Sequence, residues 1–533
     1  MKLETFFDKF GQFADAPDAV AKMRELVLQL AVTGKLVTQD KRDEPALALL
    51  ESAEVERAKL IAAKKIKSRP TSPVESNEQP FDLPLNWAWA RLSDVGYELG
   101  QKVPDKRFTY IDVGGIDSDK GRISDRVEKL EPGDAPSRAR KLVARGTVIY
   151  STVRPYLRNI AIVDQDFDPE PIASTAFGIL HPFAGINNRY LFYWLRSAPF
   201  TAYVQAGMKG MAYPAINDEK FYSGFIPLPP LTEQKRIVAK VDELMALCDR
   251  LDAQQQEREI RRAKLARSSL ARFADAPTPA NLPFLFHPSY TIPPADLRKS
   301  ILTLAVQGKL VPQDPNDETA ENKIGRNEEM SFNAPFEIPK KWTWTQLSQL
   351  ADINGGFAFK STAYTDKGTR VVRISDFDEF GFKDHKVVRH PFSADLQKFT
   401  LEEQNILMAM TGGTVGKSYF VRSMQERMVV NQRVAAIKVS DSALPSYVDI
   451  VIRSEMTQEV IRKAKNSTND NISMGDIKGF AIPLPPLSEQ RRVVAKVEQL
   501  MALVDALETQ LAASRDKGQK LLEAIVSELT LTS

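Results

Sequence analysis

The sequence predicts a mixed α+β fold: two related α/β bodies carried by long helices that pair as an antiparallel coiled coil around a pseudo-twofold axis. Three observations predict it. Ile226-Pro-Leu-Pro-Pro-Leu-Thr-Glu-Gln234 recurs as Ile482-Pro-Leu-Pro-Pro-Leu-Ser-Glu-Gln490, and Leu-Met-Ala-Leu follows both times, at 244–247 and 500–503. Leu30-Ala-Val-Thr-Gly-Lys-Leu-Val37 recurs as Leu304-Ala-Val-Gln-Gly-Lys-Leu-Val311, and Trp87-Ala-Trp89 as Trp342-Thr-Trp344, in the same order. The stretches between these repeats barely resemble one another. One unit, 13–272, is therefore written again over 273–533.

Each copy reads as short helix, linker, variable body and long helix. The short helices, 18–33 and 294–307, stop at Gly34 and Gly308, the residue type that closes a helix in the left-handed conformation. Linkers follow at 64–80, rich in Lys, Pro and Ser, and at 312–335, rich in Asp, Asn and Glu; both are expected to be exposed and mobile. The bodies carry short β-branched runs, such as Thr147-Val-Ile-Tyr150, broken by Gly, Asp and Pro clusters. The long helices start after Pro229-Pro230 and Pro485-Pro486, with Thr232 as the expected cap of the first. Val497, Leu500, Val504, Leu507 and Leu511 then form a heptad seam, matched by Val241, Leu244, Cys248 and Leu251. The segments expected are 1–80 (helix and linker), 81–225 (first body), 226–335 (central frame), 336–481 (second body) and 482–533 (last long helix).

Bulk numbers exclude little. A formal charge of +3 and a pI near 8.6 are only mildly basic, so charge alone does not point to nucleic acid. The single cysteine, Cys248, rules out an intramolecular disulfide and a thiolate metal cluster; its place in an apolar stripe marks it as core filler. The first ten residues lack an apolar signal core, and no run approaches the roughly 20 apolar residues of a membrane span, so the cytoplasm is the expected compartment.

Catalytic patterns are missing. Thr411-Gly-Gly-Thr-Val-Gly-Lys-Ser418 resembles a phosphate-binding loop, but the required Gly, with four residues between it and Gly-Lys-Ser, is here Thr411. Its ungapped counterpart, Ser151-Thr-Val-Arg-Pro-Tyr-Leu-Arg-Asn159, replaces the motif altogether. His181, His287, His385 and His390 fit no metal-ligand spacing. Recognition chemistry remains. Arg154, Tyr156, Arg158 and Asn159 lie together in one body, where Arg suits guanine, Asn suits adenine and Tyr suits phosphate. The second body offers Thr414 and Lys417, with Asn431, Gln432 and Arg433 nearby and Lys360 beside Phe357 and Phe359. Lys209 and Tyr213 precede Ile216, and Asn469 and Asn471 precede Ile472, in equivalent register.

With its doubled Pro-Leu-Pro-Pro-Leu-x-Glu-Gln and Leu-Ala-Val-x-Gly-Lys-Leu-Val, the chain resembles the specificity (S) subunit of type I restriction-modification enzymes over nearly its whole length. The resemblance implies two target recognition domains joined by that family's conserved helices. Each domain would read one half of a split double-stranded DNA site, and the helices would set the spacer; unequal bodies imply an asymmetric target. It implies further that two methyltransferase (modification) subunits dock on the helical frame, for which Leu231, Val241, Leu244, Leu251, Leu487, Val497, Leu500 and Leu507 are the candidates. Restriction subunits, ATP-driven translocases with nuclease domains, would join them. S-adenosylmethionine, ATP and magnesium are expected on those partners, and no catalytic, cofactor or metal residue in this chain. The reading set against it is a coiled-coil scaffold whose bodies bind proteins.

Overall fold

A computed structural model of the chain describes residues 18–208, 214–287, 289–320, 334–465 and 471–531. They form two units, Met1–Gln256 with Ser514–Ser533, and Glu257–Ala513. Helix α6 (Leu231–Asp275) begins in the first unit and ends in the second, and α11 (Leu487–Leu531) begins in the second and ends in the first. Among the described residues no helix is long and apolar enough to cross a membrane.

In the first unit, α1 (Ala19–Val32) ends as expected at Gly34, with φ 72°. Helix α2 (Ala46–Ala62) follows within the stretch read as linker. The body hangs from a two-stranded ribbon, β1 (Ala88–Arg91) against β12 (Phe225–Leu228). Between these strands lies a six-stranded sheet of order β2-β11-β8-β9-β5-β4, with β2 Gly96–Tyr97, β4 Ile116–Asp117, β5 Arg122–Ile123, β8 Val148–Ser151, β9 Ile160–Ile162 and β11 Phe177–Pro182. A second sheet has the order β6-β3-β10-β7, from β3 Phe108–Ile111, β6 Glu128–Leu130, β7 Ala139–Leu142 and β10 Pro171–Ser174. Helices α3 (Asn188–Arg196), α4 (Ala198–Gly207) and α5 (Asp218–Tyr222) complete it.

The second unit repeats this plan with α7 (Pro294–Val306), Gly308 at φ 68°, and the ribbon β13 (Thr343–Gln346) against β23 (Ala481–Leu484). Its sheets are β14-β22-β19-β20, β18-β15-β21 and β16-β17, over β14 Ala351–Gly355, β15 Thr369–Val372, β16 Phe377–Asp378, β17 Gly381–Phe382, β18 Val388–His390, β19 Ile406–Ala409, β20 Ser418–Phe420, β21 Met428–Val430 and β22 Val434–Val439. Helices α8 (Pro445–Arg453), α9 (Glu455–Lys465) and α10 (Met474–Lys478) take the places of α3, α4 and α5.

The recurring Leu-Pro-Pro-Leu-x-Glu-Gln is a joint. Glu233 and Glu489 are buried, and their Oε2 atoms accept from Trp87 Nε1 (3.1 Å) and Trp342 Nε1 (2.9 Å). The neighbouring glutamines close the body's first long helix: Asn187 N–H donates to Gln234 Oε1 (2.9 Å), and Leu444 N–H to Gln490 Oε1 (2.8 Å). Tyr190 and Tyr447 hydroxyls donate to the Pro227 (2.6 Å) and Pro483 (2.5 Å) carbonyls. Thr232 is not the cap of α6, because the helix already begins at Leu231; its hydroxyl donates to Asp43, which also pairs with Arg236 (2.6 Å), and Ser488, Asp317 and Arg492 repeat the arrangement. Pro-Pro removes two N–H donors before each helix, so these side chains supply the contacts that aim it.

Burial pushes the Glu233 and Glu489 carboxyls above their usual range. A raised acid favours folding at low pH, so this contribution is lost as pH rises from the ordinary carboxylate value through the raised one. Glu489→Gln, which keeps the acceptor for Trp342, is expected to equal or exceed the parent in thermal midpoint at neutral pH, with the gap closing on acidification. Glu489→Ala strands the donors of Trp342 and Gln313 and should cost about 1–3 kcal/mol at any pH, as read by thermal melts across pH.

Two expectations need correction. Four of the residues expected to dock a methyltransferase face the bodies instead. Val241 and Leu244 belong to the first body's core and Val497 and Leu500 to the second's, at 0–4% exposure, so these four offer no partner surface. Further along, Cys248 packs with Met23, Leu26 and Leu30 of α1 and with Leu522 and Ile525 of α11. That burial pushes its thiol up to about 11, which fits core filler. The second unit is matched: Ala266 and Phe273 of α6 join Leu297 and Ile301 of α7 and Val504. Leu231, Leu251, Leu487 and Leu507 are half-buried. The other correction concerns 64–80, which is pinned. The Arg91 guanidinium donates to the Ser72 (3.1 Å) and Pro73 (2.8 Å) carbonyls and pairs with Glu78, while Arg69 pairs with Glu98 (3.0 Å) over the Tyr222 ring. Of the linker at 312–335, residues 321–333 lie outside the described residues.

Candidate nucleic-acid interface

The two aligned segments are both antiparallel hairpins. In the first body β8 and β9 pair with Tyr150 opposite Ile160, and Ser151 N–H donates to Asn159 O (2.9 Å). In the second, β19 and β20 pair with Met408 opposite Ser418, and Ala409 N–H donates to Lys417 O (2.9 Å). Each tip is a short 3₁₀ turn, Pro155–Leu157 or Gly412–Thr414. A nucleotide-binding loop leads from a strand into a helix, whose N-terminus holds the phosphates. Here Lys417 leads into β20, so the nucleotide reading has no structural support.

The tips differ in chemistry. Arg154 and Arg158 both lie in the left-handed region (φ 46° and 53°), which non-glycine residues rarely occupy. Arg154 is held there by its N–H donating to Pro214 O (2.8 Å). Pro155 is buried beneath the turn, while Tyr156 and Leu157 are about half exposed at 45% and 50%. Arg158 stands near Glu25 (3.9 Å), and its charge adds to burial in lowering the pKa of Arg196. In the second tip Gly412 and Gly416 take the left-handed conformation instead (φ 71° and 83°). A Cβ on Gly416 would meet Ile461 Cγ2 at 2.6 Å, so this turn lies tight on α9. Lys417 is exposed, and the Thr414 hydroxyl donates to Thr411 O (3.3 Å).

Other predicted residues gather at these tips. Met410 N–H donates to Arg433 O (2.9 Å), Gln432 N–H to Phe357 O (2.9 Å), and Thr411 bridges Asn471. One edge therefore carries Thr414, Lys417, Asn431, Gln432, Arg433 and Asn471. The side-chain oxygen of the half-buried Asn431 accepts from Arg433 N–H (3.2 Å). Lys360 is exposed immediately after Phe359, while the half-buried Phe357 and Phe359 rings pack among Leu396, Phe399 and Tyr364. In the first body Thr152 N–H donates to Ala176 O (2.8 Å) and Val153 bridges Ala215. Lys209, Tyr213 and Asn469 lie outside the described residues.

Sequence reasoning missed Thr175 and Arg138. Ser174-Thr-Ala176 matches Asn431-Gln-Arg433 by structure, because Ala176 O accepts from Thr152 N–H as Arg433 O accepts from Met410 N–H; the match is one residue out of the hairpin register, so the sequence did not give it. The exposed Thr175 takes the place of Gln432, with its N–H donating to Arg138 O (2.8 Å).

Two dissimilar polar edges on one duplicated frame define a two-headed recognition protein, each head presenting a hairpin tip and an adjoining turn. The model of the type I restriction modification DNA specificity domain matches residues 86–262 and 339–514, more than half of the chain, and the chain belongs to that family. It is 28% identical to the type I restriction enzyme EcoAI specificity subunit of Escherichia coli, over 95% of this chain and 93% of that one. It is 24% identical to the EcoEI specificity subunit of the same organism with the same coverage. A solved chain, described as the structural basis underlying complex assembly and conformational transition of the type I R-M system, matches with a TM-score of 0.53 at 27% identity, covering 85% of this chain and 99% of that one.

Proposed function

We propose that each body of this DNA specificity subunit reads one half of an asymmetric bipartite site while the helical frame sets the spacer. The observation that carries this reading is the pair of equivalently paired hairpins with unlike tips: arginines and tyrosine on one, glycines, threonine and lysine on the other. Arg and Asn read base edges and Lys and Tyr hold phosphates, so unlike tips select unlike sequences. The catalytic work belongs to the rest of a type I restriction-modification complex: methyltransferase subunits bringing S-adenosylmethionine, and restriction subunits using ATP and magnesium, all in the cytoplasm.

Two copies of one methyltransferase need two copies of one surface. The recurring residues that retain exposure, Glu44 and Glu318, Lys240 and Lys496, and Leu247 and Leu503, meet that need better than the buried seam. Selection from duplexes with randomised halves and spacers, with and without the methyltransferase, tests the reading. A split, salt-sensitive preference is expected; no preference under any condition overturns it.

A further inference from the structure

We infer that Lys141 is a positioning residue that holds the first body's reading edge in register, a role resting on the DNA-reading function proposed above. Lys141 lies on β7 with only 2% of its surface exposed. Its ammonium sits 2.8 Å from Asp218 Oδ2 and 3.3 Å from Glu98 Oε1, and the other Glu98 oxygen pairs with Arg69. A lysine this buried needs its charge matched, so it fixes whatever carries the carboxylates.

One of these carboxylates, Asp218, adjoins the segment that holds Arg154. Asp218 opens α5, directly after the segment in which Pro214 O accepts from Arg154 N–H, Ala215 bridges Val153, and Ile216 N–H donates to Thr152 O (2.9 Å). On the other side, Lys141 pairs with Ala173 of β10. Strand β10 runs into the turn of Thr175, where Ala176 O accepts from both the N–H and the hydroxyl of Thr152. Lys141 thus ties, through its ammonium to Asp218 and its backbone to β10, the segment that holds Arg154 N–H to the strand leading to the turn that holds Thr152. With the tie cut, Arg154 can relax toward the extended region and its guanidinium moves with it.

The second body does without this network. Ile353 stands where Glu98 is, Met474 opens α10 where Asp218 opens α5, and the sheet ends at β21 with no strand in the place of β7 among the described residues. There the Ser473–Asp476 capping box closes the helix start. The same frame folds with apolar groups at these positions, so the charges serve this body's edge.

The test uses the full chain and selection from randomised duplexes, with Arg154→Ala marking the half read by the first body. Lys141→Met and, as a milder cut, Asp218→Asn are each expected to relax preference about tenfold in that half while the other half stays sharp. Thermal melting checks that the variants are folded. Preference unchanged, or relaxed equally in both halves, overturns the positioning role. A parent chain that selects no sequence sinks the specificity reading itself, which is a different outcome.

Discussion

Leu522→Ala is expected to loosen the first unit, although position 522 lies at the far end of the chain from α1. Leu522 is fully buried, with Ile525 one turn on, against Ala19, Val20, Met23, Leu26 and Leu30 of α1 and Cys248 of α6. Truncating a buried leucine to alanine removes transfer free energy and leaves a cavity, together about 2–5 kcal/mol. Here the loss falls on a small satellite cluster, on the face of α1 away from the Val27, Leu28, Ala31 and Val32 that stay in the body core. Hydrogen exchange over 19–32 should therefore speed up, while the equivalent helix at 294–307, which packs on Ala266 and Phe273, keeps its protection. Leu521→Ala, at a position 39% exposed, is the control and should change little.

Replacing the first body by a second copy of the other should make the target symmetric. The graft has natural borders. Leu92 N–H donates to Gly224 O (2.7 Å) and Leu347 N–H to Phe480 O (2.9 Å), so residues 347–480 can stand in for 92–224 between intact β1 and β12. The joint travels with it: Tyr447 supplies the hydroxyl that Tyr190 supplied, and Leu444 N–H meets Gln234 as it meets Gln490. Arg69 loses its Glu98 and Tyr222 partners, a modest cost at a partly exposed site. Identical readers related by a twofold axis read inverted repeats.

Much of this was legible in sequence because it is local or because it is written twice. Gly34 and Gly308 announce the left-handed ends of α1 and α7, and the ungapped match of 151–159 with 409–417 places both tips at equivalent points of one fold. Periodicity showed that Val241, Leu244 and Cys248 share a face, but not that the first two meet a body and the third meets α1. Helix α2 escaped notice because its apolar residues form no single stripe: Leu47 and Val55 are exposed, and only Ala46 and Ala53 are buried. Its alanines, leucines and glutamates favour helix by propensity alone. The 64–80 segment looked loose because its restraints, Arg91 on Ser72 and Arg69 on Glu98, join residues far apart in sequence. The role of Lys141 was hidden for the same reason. Thr175 was hidden because a one-residue gap between the hairpin and the adjoining turn shifts it out of the register that matches 151–159 with 409–417.

The central claim is that the repeat builds the frame and the unlike bodies choose the bases. The most direct test is to sequence methylated sites in cells carrying the grafted chain, 347–480 in place of 92–224, with its methyltransferase. The account predicts an inverted repeat of the half-site read by the second body, with the parent spacer. Methylation at the parent's asymmetric target would contradict it.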